Sequence, residues 1–158
     1  MEIFAGKITD TFGIKGELKV ATNFEMAERV FKPGNKVVIS GQWHEITSVR
    51  YHKKQYLITI DHLTNINLVL IYKGNNLYFK REDLGLKEGE YLLTDLIGFT
   101  VWEGETGFGL VTEIINDSHN PLLKVEQSFY IPLNGDFIQR VDLKAKRVIG
   151  QRIKELKL

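Results

Sequence analysis

Apolar and polar residues alternate in short runs along this chain, and turn residues separate the runs. The clearest case is Glu90–Val111, where Phe99 and Val101 share one face of an extended segment and Thr100 and Trp102 the other, because successive side chains of a pleated strand point to opposite faces. Glu103–Gly107 then supplies a turn, with Gly107 and Gly109 allowing positive φ or close backbone approach. Leu110, Thr112 and Ile114 continue as the return strand.

The N-terminal half follows the same grammar. Ile3–Ile8 reads as a strand, and Gly6 within it marks a bulge or a close neighbour. Gly13 and Gly16 bracket a turn before the alternating strand Glu17–Ala21. Phe24–Phe31 has the spacing of one or two helical turns, ended by Pro33-Gly34. Lys36–Ser40, Glu45–Tyr51 and Tyr56–Ile60 are strands, joined by turns at Gly41-Gln42 and at His52–Gln55, and Leu77–Phe79 adds another. Val37 and Ile39 should face one side and Val38 the other.

In the C-terminal half, Leu122–Val125, Ser128–Pro132, Phe137–Asp142 and Lys146–Ile149 are four further strands, with Pro132 at a strand end or edge because it cannot donate to a ladder. Many short strands with turn signals between them predict a mainly all-β fold: two small antiparallel β-barrels in tandem with one or two short helices. The expected division is 1–82 for the first barrel, 83–92 for a connecting hinge and 93–158 for the second.

Composition narrows the chemistry. With 158 residues and 43% hydrophobic content, the chain can build ordered cores, though two units of this size gain only modest stability from each. The absence of cysteine removes disulfides and thiolate metal sites and suits the cytoplasm. The longest apolar run, Leu68–Tyr72, is far too short to cross a bilayer. His44, His52, His62 and His119 lack metal-site spacing, and Ser40, Ser48, Ser118 and Ser128 stand in no nucleophile motif. Gly104, Gly107 and Gly109 are not followed by the residues of a phosphate loop. No catalytic site, metal or cofactor is expected, so the chain reads as a binding protein rather than an enzyme.

Charge is distributed unevenly around a net +1. Glu82–Glu105 holds seven acidic residues against Lys87 alone, whereas Lys144–Leu158 holds six basic residues against Glu155. His52-Lys53-Lys54, between Tyr51 and Tyr56 at a hairpin tip, combines cations with rings as a nucleic-acid contact does; a lysine-tipped hairpin that serves solubility has the same pattern. Lys7, Lys15 and Lys19 around GIKGELKV either face phosphates or flank a simple hairpin loop. Around the hinge, Tyr91, Leu92, Leu93 and Trp102 set apolar groups among acidic ones, a combination suited to a basic protein partner. Tyr91 and Leu93 equally suit a seam between two barrels.

DLIGFTV followed by a glycine-containing turn and GLVTEI resembles the opening hairpin of a PRC-barrel. GKITDTFGIKGELKV, Gly6–Val20, resembles the opening of the RimM family of ribosome maturation factors, and Ile131–Ile149 is similar to that family's end. The resemblance implies an N-terminal RimM-type barrel and a C-terminal PRC-barrel. It also implies a short helix between Leu63 and Gly74, capped by Thr64 or Asn65, where the β-branched run Leu68–Tyr72 itself favours strand. The implied role is a non-catalytic, monomeric assembly factor that binds the immature small ribosomal subunit and assists maturation of its head. Its implied partners are a basic ribosomal protein of the head, met mainly through the second barrel, and ribosomal RNA. Family members commonly carry two adjacent tyrosines before DLIG; here the pair is Tyr91-Leu92, which departs from the pattern at the second position. On this reading Tyr91, Leu92, Leu93 and Trp102 supply apolar contact, Asp95, Glu103 and Glu105 orient the basic partner, and Lys15, Lys53 and Lys54 touch RNA. The alternative is a PRC-barrel adaptor for a non-ribosomal protein.

Overall fold

The computed structural model describes residues 2–116 and 120–157, which fall into two compact units, Met1–Leu86 and Lys87–Leu158. His119 and Ser118, considered above as metal and nucleophile candidates, lie outside the described residues.

In the first unit, strands β1 (Glu2–Phe12), β2 (Glu17–Ala21), β3 (Lys36–Ile39), β4 (Gln42–His52), β5 (Gln55–Ile60) and β6 (Asn76–Lys80) close into a barrel in the order β1-β2-β5-β4-β3-β6. β1 is longer than its hydrophobic pattern suggested because it serves two partners: Glu2–Lys7 pairs with β6 and Lys7–Phe12 with β2. Register shifts at Phe4/Gly6 and Ile8/Asp10 bend it from one partner to the other, since an extra residue on one strand raises local twist. Gly6 is the expected close approach: a Cβ there would stand 2.7 Å from the Ala21 carbonyl oxygen. Ile8, Leu18, Val20, Ile46, Ile58, Ile60 and Leu77 fill the interior, each with no exposed surface. Val37, Val38 and Ile39 are all buried, so β3 is covered on both faces.

Helix α1 (Ala27–Val30) forms where the aromatic spacing placed it. The contested segment is helical too, with α2 at Ile66–Val69 followed by a 3-10 turn at Leu70–Tyr72. Asn65 decides it, because its side-chain oxygen accepts from the Asn67 N–H at 2.9 Å, and Gly74 at φ 85° leaves the segment; caps at both ends outweigh a propensity difference of a few tenths of a kcal/mol per residue. Ile66 N–H donates to the Ile14 carbonyl at 3.0 Å, tying the segment to the β1–β2 turn. Beside it, buried His44 contacts the Asp61 carboxylate through Nδ1 at 2.5 Å, and Tyr72 meets the imidazole edge-on.

The second unit contains β7 (Thr100–Glu103), β8 (Thr106–Ile115), β9 (Leu122–Val125), β10 (Phe129–Pro132), β11 (Ile138–Asp142) and β12 (Arg147–Gly150). The strands occur where expected, and Pro132 ends an edge strand, but the sheet order β10-β9-β8-β7-β12-β11 is open rather than closed. It is also not wholly antiparallel, because β12 runs parallel to β7. The β7–β8 hairpin uses one edge of β7, and the long excursion through β8–β11 returns the chain to the other edge in the same direction, as a parallel pair requires. Val101 and Val148 thereby lie side by side in a core with Leu96, Val111, Leu123, Val125 and Ile131. The C-terminal 3-10 turn Ile153–Leu156 adds fully buried Ile153 to that core. No helix of the described residues is long and apolar enough to cross a membrane.

Two glycines of the β1–β2 turn separate conformational from steric need. Both have positive φ, but a Cβ on Gly16 would stand 2.3 Å from the Leu63 carbonyl oxygen, whereas one on Gly13 meets nothing within 4 Å. Chemical denaturation should show Gly13→Ala losing about 1 kcal/mol and Gly16→Ala more than about 2 kcal/mol, because the latter also displaces backbone.

Candidate functional site

Phe12, at the end of β1, gathers cations on the outer face of the first barrel. Arg50 Cζ lies 5.2 Å and Lys19 Nζ 5.5 Å from its ring centroid, and the His52 ring meets it edge-on at 5.3 Å. Arg50 also donates twice to Glu17, at 2.8 and 2.9 Å, a bidentate geometry that fixes the guanidinium plane. These hydrogen bonds hold the Glu17 carboxyl below its ordinary 4.5 against the upward push of partial burial, and the charges of Arg50, His52 and Lys15 act the same way. Lys15, exposed in the β1–β2 turn, is therefore linked through Glu17 to the β4–β5 hairpin.

That hairpin ends in Lys53 and Lys54, both exposed and both left-handed, with φ of 49° and 65°. A two-residue turn of this kind matches the strand twist but favours Asn-Gly, so each lysine costs roughly 1 kcal/mol in backbone strain. On the hairpin's other side Tyr51, 63% exposed, packs edge-on to Tyr56, which stacks on Phe31. Thr22, Phe24, Ala27, Tyr51, Lys54 and Tyr56 line an open depression of about 290 Å³. The predicted pairing of rings and lysines is thus present. Phe12 and Arg50 escaped the sequence reading because their neighbourhood arises from strand pairing; the one local hint was an arginine one residue before Tyr51-His52.

The residues predicted for a protein partner take different positions. Tyr91 is half-buried against the second unit's core, and burial raises its phenol pKa. Leu92 is 1% exposed, so its side chain offers no surface to a partner; its N–H donates to Asp95 at 2.9 Å and starts the 3-10 turn Leu93–Leu96. Leu93 and Asp95 are half-buried and Glu105 is exposed in the β7–β8 turn. Trp102 lies under a cation: Arg147 Cζ stands over its ring, 4.4 Å from the centroid, because β12 pairs alongside β7. Glu103 accepts from the Arg152 and Ile153 N–H groups at 3.2 and 3.0 Å, anchoring the C-terminal turn.

Two family models match in tandem, the RimM N-terminal domain over residues 3–84 and the RimM PRC barrel domain over residues 93–151. The ribosome maturation factor RimM of Staphylococcus haemolyticus is 34% identical over 157 residues, covering 94% of each chain. This chain belongs to the RimM family. The RimM of Staphylococcus aureus strain RF122 is 33% identical, covering 94% of this chain and 95% of its own. A crystal structure of a RimM 16S ribosomal RNA processing protein from Pseudomonas aeruginosa aligns over 95% of this chain and 96% of its own, with 19% identity and a TM-score of 0.49. Among the described residues of this RimM-family chain, no three His, Cys, Asp or Glu side chains converge as metal ligands would.

Glu103 and Glu105 are separable by experiment. Charge reversal Glu103→Lys should lower unfolding free energy by about 2 kcal/mol, since it strands two backbone donors, while Glu105→Lys should leave thermal unfolding unchanged. Glu17 contributes a pH dependence of definite sign. Its folded pKa is depressed, so its stabilisation is full above the unfolded value of 4.5 and is lost as pH falls through the folded one. In acid titrations followed by circular dichroism, Glu17→Gln should therefore differ from the parent at neutral pH and converge with it as the medium becomes more acidic.

Proposed function

We propose that this chain is a non-catalytic, cytoplasmic ribosome maturation factor that acts as a monomer on the precursor of the small ribosomal subunit and assists processing of its RNA. The observation that carries this reading is the tandem match to both RimM domains, with relatives named as ribosome maturation factors aligned over nearly the whole chain. The first barrel contacts ribosomal RNA: Lys15, Lys53 and Lys54 meet phosphates, while Tyr51 and the cations around Phe12 supply stacking and further charge. The strain at Lys53-Lys54 supports this assignment, since it places charge where a more stable turn sequence exists. The second unit receives a basic ribosomal protein of the subunit head, with Tyr91 and Leu93 as apolar contacts, Asp95 and Glu105 orienting the partner, and Leu92 and Glu103 holding the local backbone.

Co-sedimentation of the purified chain with immature and with mature small subunits tests this reading. Selective retention on immature subunits is expected, reduced in Tyr91→Ala. The double variant Lys53→Asn/Lys54→Gly should be more stable by about 1–2 kcal/mol and yet bind immature subunits roughly tenfold more weakly at moderate salt. Equal or absent binding to both particles would replace this reading with that of an adaptor for a non-ribosomal protein.

A further inference from the structure

The solvent face of β7, β12 and β11 is unlike the acidic hinge that precedes it in the chain. Cross-strand pairing sets Thr100, Arg147 and Asp142 in one row and Trp102, Ile149 and Arg140 in another. Val101 and Val148 point the other way into the core. Trp102 is held in place on this face. Its indole N–H donates to Thr100 Oγ1 at 2.8 Å, and its six-membered ring lies across Gly107, where an added Cβ would come within 3.3 Å of it. Arg147 covers the ring from above, is exposed, and is in no ion pair among the described residues. Lys144 and Lys146, in the turn entering β12, are exposed as well. The carboxylate on this face, Asp142, accepts from the Ala145 N–H at 3.0 Å and lies 3.8 Å from Arg140. Arg140 and Arg147 thus act on Asp142, which is already engaged, and Lys144 and Lys146 add positive charge in the adjoining turn.

We propose that this face is a second nucleic-acid contact, at which an unpaired RNA base stacks on the Arg147–Trp102 pair and neighbouring phosphates meet Lys144, Lys146 and Arg140. Charge complementarity selects a polyanion. Two features favour RNA over an acidic protein. A guanidinium laid over an indole presents a planar surface to a planar ligand, as RNA-binding sheets do. The indole donor is already satisfied and the ring lies between Gly107 and Arg147, so the guanidinium it supports is the surface that a base meets. The site stands independently of the Lys53-Lys54 hairpin and rests on different residues in the other unit.

Trp102 is itself the reporter. The chain has two tryptophans, and Trp43→Phe in the full-length chain leaves Trp102 as the sole tryptophan, read by excitation selective for indole. Titration with a single-stranded oligoadenylate should quench Trp102 fluorescence saturably. Arg147→Lys keeps the charge and loses the plane, and should weaken the midpoint about tenfold; Lys144→Glu should weaken it further and flatten its salt dependence. Polyphosphate, with charge but no bases, should leave the emission largely unchanged. An unaltered Trp102 signal with oligoadenylate, or unaltered midpoints in both variants, would overturn the proposal. Equal quenching by polyphosphate would reduce the face to a general anion contact, and equal quenching by polyglutamate would assign it to an acidic protein; either result removes base stacking. Repeating the titration with Lys53→Asn/Lys54→Gly present separates the two sites, because this signal should persist when the first-unit contact is lost.

Discussion

Closure of the first barrel depends on one strand bonding to two neighbours in succession. β1 can turn from β6 to β2 only because its register slips at Gly6 and again after Ile8, and the backbones meet there at a distance that excludes a side chain. Once that corner is made, β4 and β5 are fixed as a long hairpin on the barrel wall, and Phe12 arrives where Arg50, Lys19 and His52 can reach it. The chemistry of the outer face therefore follows from a constraint met on the inner one.

The second unit solves a related problem differently. It leaves its sheet open and places a parallel strand against β7. That choice fills the core with Val148 beside Val101 and, on the opposite face, delivers Arg147 to Trp102. One pairing event thus provides both stability and a charged aromatic surface. The C-terminal segment, basic in composition, is also structural: Ile153 is wholly buried and its N–H is held by Glu103.

Local features of the chain were legible in its sequence, and relations between distant segments were not. Glu17–Ala21 and Leu122–Val125 could be delimited to the residue because glycine or other turn residues stand at their ends and their side chains alternate cleanly. The same alternation put Trp102 and Val101 on opposite faces of their strand. It could not show that β12 would lie parallel to β7, since strand order is decided by which edges remain free after the hairpins form. Hence proximity in sequence groups Trp102 with acidic residues, whereas the fold sets it under Arg147 and makes Glu103 a backbone acceptor. The hairpin lysines were recognisable from their aromatic neighbours, whereas the Phe12 cluster required knowing that β1, β2 and β4 come together.

The helical turn after Asn65 has a consequence for the chain before it folds. Leu68–Tyr72 combines leucine, valine, isoleucine and tyrosine with no charge and no proline, and Leu68, Leu70 and Ile71 remain largely exposed after folding. A side-chain cap, a glycine exit, the Ile66 tie to Ile14 and burial of Val69 keep this run from the extended form that its composition prefers. In a nascent or partly opened molecule the same five residues are a short adhesive strand, able to pair with their counterparts in other copies. The Asn65 cap thus bears on solubility as well as shape, and its value is greatest at high concentrations of newly made chain.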